Sequence, residues 1–166
     1  MKKKICVIYV DFDDTLYEHT FHWTCEEDFE YNMLFGFKQI QYEEKYLNHE
    51  LISKVEDIIE ENKKHDIITI VSLLTGCQSS VFFDAKRDFL DSYTPQLFDN
   101  YFSVSTQETK IPMIQAYNKL VEKDNDSKIV RTIVIDDSFI VTSLSQNLGF
   151  DAMTPGYFEK HYKIEY

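Results

Sequence analysis

The sequence predicts an α/β fold in which a mostly parallel sheet carries helices on both faces. Three observations predict it: short β-branched apolar runs recur along the chain, segments of helical periodicity separate them, and the strongest runs are apolar almost throughout. The 166 residues suit one domain, and with 43% hydrophobic residues they can fill its core. We therefore expect a single Rossmann-like domain over residues 1–166.

The predicted strands and helices alternate in order. Strands are expected at 5–10, 67–71, 101–104, 130–135 and, more weakly patterned, 150–153. Helices are expected over about 49–64, from 79 or 80, from 111, and over about 138–148. Asn48 is a good helix cap, Pro112 suits a first helical turn, and Gly149 suits the position after a helix. In such a sheet, ligands bind at the carboxyl ends of the strands.

Residues 17–48 break this alternation. They are acidic and crowded with aromatic residues, and they directly follow the first strand, where a connecting loop is normally only a few residues long. We interpret them as a small helical cap-like insert over the strand ends. Its aromatic rings are expected to form a small core, with Tyr17, Phe21 or Trp23 as the rings best placed to face a substrate.

Composition narrows the classes of function. The 29 acidic residues outnumber the 17 basic ones, and a net charge of -12 makes long nucleic acid an unlikely partner. Three widely spaced cysteines suit a reducing compartment better than a disulfide framework. Because no apolar run approaches 18 residues, no membrane span is expected. These features predict a cytoplasmic protein.

Polar residues gather where the predicted strands end. They are Asp11 and Asp13 after the first strand, Ser72 after the second, Lys110 after the third, and Asp136 and Asp137 after the fourth. The carboxyl ends of parallel strands meet at one edge of a sheet, so these groups should converge. Clustered carboxylates repel one another unless a cation lies between them, and Mg²⁺ is a hard cation that prefers oxygen ligands.

This cluster suits phosphoryl transfer. One carboxylate can act as a nucleophile while Mg²⁺ attracts the phosphoryl group. Asp13 begins the turn after the strand and can protonate a leaving oxygen. Ser72 can donate a hydrogen bond to phosphoryl oxygens, and Lys110 can offset the charge that builds up during transfer.

At these residues the sequence resembles the haloacid dehalogenase (HAD) superfamily of phosphohydrolases. The run Asp11-Phe12-Asp13-Asp14-Thr15 matches the family's DxDx[TV] signature, although Asp14 stands where many members have Gly. A hydroxyl residue after an apolar strand, a lysine before a helix (in 106–112) and a pair of acids then follow in the family's order. The resemblance covers nearly the whole chain except residues 17–48, and it implies a sheet order of 5-4-1-2-3.

The resemblance also implies a role for each matching residue. Asp11 would be the nucleophile that forms an aspartyl-phosphate, and Asp13 would be the general acid and later the base. Mg²⁺ would be held by the carboxylate of Asp11 and by the main-chain carbonyl of Asp13. Of the acidic pair, Asp137 would bind the metal directly and Asp136 would lie farther from it, or these two roles would be reversed. The substrate-binding residues would be Thr15, Ser72 and Lys110.

Two residues rival this set, and two functions remain open. Thr75 is the alternative to Ser72, and Lys86 is the alternative to Lys110, although Lys86 is expected to lie solvated within a helix. The predicted function is a Mg²⁺-dependent hydrolase of a small phosphomonoester such as a nucleotide, by similarity to the deoxyribonucleotidase branch. The alternative is a non-catalytic phosphate-sensing or protein-interaction domain that keeps the fold. A response-regulator receiver is disfavoured, because its phosphorylated Asp would follow the third strand.

Overall fold

The computed structural model describes residues 2–18, 42–77, 79–124 and 126–166. A five-stranded parallel sheet organises the chain, in the order β3-β2-β1-β4-β5. Its strands are β1 (Lys3–Val10), β2 (Ile67–Gly76), β3 (Asn100–Val104), β4 (Ser127–Ile135) and β5 (Asp151–Met153). This order is the predicted one read from the opposite edge, so the predicted fold class is confirmed.

Helices alternate with the strands, and the two whose ends were predicted, at about 49–64 and 138–148, lie within one residue of those bounds. They are α1 (His49–Lys64), α2 (Ser80–Tyr93), α3 (Lys110–Asp124), α4 (Phe139–Asn147) and the short α5 (Pro155–His161), which was not predicted. Asn48 caps α1, since its Oδ1 accepts a hydrogen bond of 3.1 Å from Leu51 N. Gly149 follows the end of α4 with a φ of +81°, in the left-handed region that favours glycine.

The central strand β1 divides the core into two layers, because alternate side chains point to opposite faces of a strand. Cys6, Ile8 and Val10 pack under α1, α2 and α5. Val7 and Tyr9 pack with the chain's α3 and α4 on the other face. Residues 5–10 of β1 are no more than 2% exposed. A strand buried in this way holds its carboxyl end rigidly, and Asp11 comes next.

The predicted insert at 17–48 falls largely outside the described residues. Residues 19–41, with Phe21 and Trp23, are not among them. The described flanks pair with each other: Tyr17 bridges to Leu47, and a short 3-10 helix covers Glu44–Tyr46. Tyr17 is 7% exposed and stacks on Phe12 at 5.5 Å between ring centroids, so its ring belongs to the core. Among the described residues, no helix is both long and apolar enough to cross a membrane.

Candidate active site

The turn after β1 places Asp11 at the centre of the sheet edge. Asp11 N donates to Ile135 O at 3.0 Å, which continues the pairing of β1 with β4 by one residue. The main chain then folds back, and Phe12 O accepts hydrogen bonds from Leu16 N and Tyr17 N at 3.0 and 2.9 Å. Asp14 sits in this turn with a φ of +54°. Glycine adopts this conformation without strain, which explains physically why a Gly would fit at this position.

The end of β4 brings two further carboxylates to the same edge. Asp136 is 2% exposed, and its Oδ1 accepts a hydrogen bond of 2.9 Å from Ser138 N at the start of α4. Asp137 lies nearer the surface, and its N donates to Thr15 Oγ1 at 3.2 Å. Thr15, predicted to bind substrate, is thus a buried link between the loop that follows β1 and the loop that follows β4.

Three carboxylates form an acidic cluster. Asp11, Asp136 and Asp137 each present a carboxylate oxygen, and the three oxygens lie within 4.8 Å of one another. Lys110 enters this cluster from the start of α3, with no measurable exposure. Its Nζ lies 2.7 Å from Asp136 Oδ2 and 2.9 Å from Asp11 Oδ1. The predicted convergence of these four residues therefore holds in the structure.

A second lysine forms a separate group beside the acidic cluster. Lys86 extends from α2, is 4% exposed, and makes a short ion pair with Asp13 Oδ2. It also donates to Thr75 Oγ1 at 3.0 Å, and Thr75 Oγ1 lies 3.5 Å from Asp13 Oδ2. We call Asp13, Thr75 and Lys86 the Lys86 group. The expectation that Lys86 is solvated was wrong.

The expectation that the second strand ends at Ser72 was also wrong. The strand β2 continues to Gly76, and Ser72 lies inside the sheet, paired with Tyr9 and Asn100. Its Oγ accepts a hydrogen bond of 3.3 Å from Asn100 Nδ2 and is fully buried. Val10, the last residue of β1, pairs with Leu73, so Thr75 lies beyond that pair, level with the turn that follows β1. The structure therefore brings the hydroxyl of Thr75, and not that of Ser72, to the site.

The buried carboxylates disturb one another's ionisation. Burial raises the pKa of Asp11 to about 7; Lys110 opposes the rise, and the Asp136 and Asp13 charges add to it. Partial desolvation also raises the pKa of Asp137, with Asp136 and Asp14 as further causes. The buried ammonium of Lys110 has a raised pKa as well, because the two carboxylates outweigh the effect of its burial. The acids are thus compensated only in part by the protein itself.

The residues present fit a divalent cation. With every acid ionised, four carboxylates and two ammoniums at this edge leave two formal negative charges. The acids are Asp11, Asp13, Asp136 and Asp137, and the ammoniums are those of Lys86 and Lys110. Within the described part of the chain, buried Asp11 Oδ1 has the ion pair with Lys110 at 2.9 Å and no further hydrogen-bond donor. Oxygen ligands with an uncompensated double charge are the donor set that Mg²⁺ prefers. Asp11, Asp136 and Asp137 are the residues that could hold it.

A cleft adjoins this edge. It has a volume of about 570 Å³ and opens beside Asp14 and Thr15, with Tyr46, Asn48 and Gly156 on its other walls. A second cavity of about 250 Å³ lies toward the opposite end of the strands, beside Cys6 and Arg131, far from the acidic cluster. Of these two, only the cleft beside Asp14 and Thr15 is placed to hold the remainder of a ligand whose reacting group is bound at Asp11.

No protein-family model, curated protein or solved structure matches this chain.

Proposed function

We propose that the protein is a Mg²⁺-dependent hydrolase of small phosphomonoesters that acts through an aspartyl-phosphate, as the HAD-like motifs imply. The observation that carries the proposal is the acidic cluster with a buried lysine between its two most buried members, Asp11 and Asp136. A cluster of this composition at the carboxyl edge of a parallel sheet attracts a cation and, through it, a phosphate.

In the first half of the reaction, a carboxylate oxygen of Asp11 would attack phosphorus while the bond from phosphorus to the ester oxygen breaks. Asp13 would give a proton to that departing oxygen. Asp11, Asp136 and Asp137 would hold Mg²⁺, whose charge would favour binding of the phosphoryl group. Lys110 would keep Asp11 oriented through its ion pair, and Thr75 would donate a hydrogen bond to a phosphoryl oxygen.

In the second half, a water molecule would attack phosphorus, and the bond between Asp11 and phosphorus would break. Asp13 would take the proton from that water, which returns both carboxylates to their starting forms. The products are the alcohol and inorganic phosphate. The cleft beside Asp14 and Thr15 would hold the part of the substrate that leaves.

The charge of the chain supports a small substrate. At a net charge of -12 the surface repels long polyanions, and the attraction that a site cation exerts is screened within about 10 Å at 0.1 M salt. A nucleotide or another small phosphomonoester meets less of this repulsion. We propose a nucleotide as the first substrate to test.

A panel of phosphomonoesters, including nucleotides and a generic aryl phosphate, tests the proposal. We expect turnover with Mg²⁺, loss of turnover in EDTA, and loss of turnover in Asp11→Asn. The matched control is Asp57→Asn, an exposed residue of α1 that should keep full activity. If the folded wild type hydrolyses none of these esters with Mg²⁺ present, the proposal is wrong, and the non-catalytic alternative that only binds phosphate takes its place.

A further inference from the structure

The position of Lys86 is not explained by the roles assigned so far. Its side chain extends from the buried face of α2, and its ammonium passes over the Phe12 ring at 5.0 Å from the centroid. It ends against Asp13 Oδ2 and Thr75 Oγ1. Both acceptors belong to the proposed reaction: one would move the proton, and the other would bind the phosphoryl group.

Burying an ammonium is strongly unfavourable unless its partners compensate it. A helix position beside Phe89 and Leu90 would ordinarily carry an apolar residue. Lys54 offers a comparison within the same protein, since its Nζ donates to Glu159 O at 2.8 Å and lies 5.3 Å from the centroid of the Phe158 ring. Lys54 thus contacts a main-chain carbonyl, whereas both hydrogen-bond partners of Lys86 are side chains of the candidate site.

The contacts of Lys86 restrict both of its partners. The Thr75 hydroxyl has one hydrogen to donate and two lone pairs to accept with. Because Lys86 donates to one lone pair, the hydroxyl hydrogen must point away from the ammonium, and Thr75 Oγ1 donates it to Asp13 Oδ2 at 3.5 Å. A bound phosphoryl oxygen would replace Asp13 as the acceptor of this hydrogen bond. Lys86 meanwhile holds the carboxyl group of Asp13, whose side chain is 37% exposed, against the buried wall of the site. An ammonium can donate to the carbonyl oxygen of a protonated carboxyl group as well as to a carboxylate, so this contact can orient Asp13 both when it gives a proton and when it takes one.

We propose that Lys86 is a positioning residue that holds Asp13 and Thr75 as one hydrogen-bonded group on the leaving-group side of the site, while Lys110 holds Asp11 and Asp136 on the nucleophile side. This inference rests on the proposed phosphohydrolase function. The two lysines therefore affect the reaction differently. Loss of Lys110 slows the attack by Asp11 on every ester. Loss of Lys86 lowers the rate more for an ester whose leaving group must be protonated.

Two esters of similar size separate these effects. The 4-nitrophenolate ion leaves with little need for protonation, whereas phenolate needs it more. General acid catalysis contributes about 10²- to 10⁴-fold, so Lys86→Met should lose about tenfold more kcat/KM on phenyl phosphate than on 4-nitrophenyl phosphate. Asp13→Asn should show the same preference more strongly. Lys110→Met should lose kcat/KM equally on both esters.

Lys54→Met is the matched control, because it removes a half-buried lysine that also lies over an aromatic ring but donates to the main-chain carbonyl of Glu159 rather than to these carboxylates. It should leave kcat/KM for both esters unchanged. If Lys86→Met fails to fold, Lys86→Gln keeps a donor of similar reach and should show the same preference in smaller measure. Equal losses on both esters in a folded Lys86 variant would overturn the positioning role alone. No turnover by the wild type would overturn the proposed function, and the positioning role with it.

Discussion

Replacing Asp11 with Asn should stabilise the protein when no divalent cation is present. Asp11 is 3% exposed, and its pKa is raised from the ordinary value of 3.8 to about 7, chiefly by burial. Asn has the same shape but no proton to lose. Lys110 keeps an ammonium–carboxylate contact in the variant, because Asp136 Oδ2 lies 2.7 Å from its Nζ. The substitution therefore removes a poorly compensated charge without leaving another one unpaired.

The sign of the stability difference depends on whether the folded or the unfolded state holds the Asp11 proton. Between pH 4 and pH 7 the folded protein keeps the Asp11 proton that the unfolded chain has lost, so the wild type loses stability as pH rises through this window. A shift of about three pKa units corresponds to at most about 4 kcal/mol, at 1.36 kcal/mol per unit. We expect the two proteins to be equally stable near pH 4, and Asp11→Asn to be more stable by about 2–4 kcal/mol above pH 7.

Thermal melts in EDTA at pH 4, 5 and 8 measure this difference. At about 2–4 °C per kcal/mol for a chain of this size, Asp11→Asn should melt roughly 4–16 °C higher than the wild type at pH 8. Asp57→Asn controls for the loss of an acid from an acidic chain and should melt with the wild type at each pH. Adding Mg²⁺ should raise the melting temperature of the wild type more than that of Asp11→Asn. A variant that melts below the wild type at pH 8 would refute the reasoning, because it would mean that the lysines already balance the cluster.

Three further outcomes are expected. Thr75→Val should lower kcat/KM for phosphate esters about 10- to 100-fold, the size of a hydrogen bond to a charged group, and an unchanged value would remove Thr75 from the site. Ser72→Ala should leave kcat/KM unchanged and cost about 1 kcal/mol of unfolding free energy in urea melts, since only the hydrogen bond from Asn100 is lost. Gly149→Ala should cost about 1 kcal/mol through its φ of +81° alone, because nothing lies within 4 Å of the added methyl group; an equally stable variant would show that the turn relaxes.

The sequence predicted the sheet and its order because the relevant signals are local and strong. Buried strands such as 5–10 are apolar on both faces, and residues such as Asn48 and Gly149 mark helix ends by their own conformational preferences. The site acids could be predicted for the same reason, because Asp11 and Asp136 each follow directly on the apolar residues of a buried strand. The short helix α5 was missed, because seven residues hold less than two full helical turns of periodic signal.

The errors concern residues whose surroundings come from distant parts of the chain. Ser72 looked like a strand end, but a small hydroxyl can remain inside a sheet when a neighbouring strand supplies a partner, here Asn100. Following the apolar run through Leu73 and Leu74 would have placed Thr75 at the edge. Lys86 carried a usable signal, since its spacing to Phe89 and Leu90 puts it on the buried stripe of α2.

The placement of β1 between β2 and β4 has a consequence for the order of assembly. Its last residue, Val10, pairs with Leu73 on one side and with Ile135 on the other, so β1 acquires its second neighbour only after β2, β3 and the helices between them have been made. Contacts so distant in sequence form slowly, because a long loop must close before they stabilise anything. Asp11 therefore meets Asp136 only after β4 has been made. A nascent or truncated chain that lacks β4 carries the first half of the acidic signature without the cluster, so metal affinity should appear as a late event in folding.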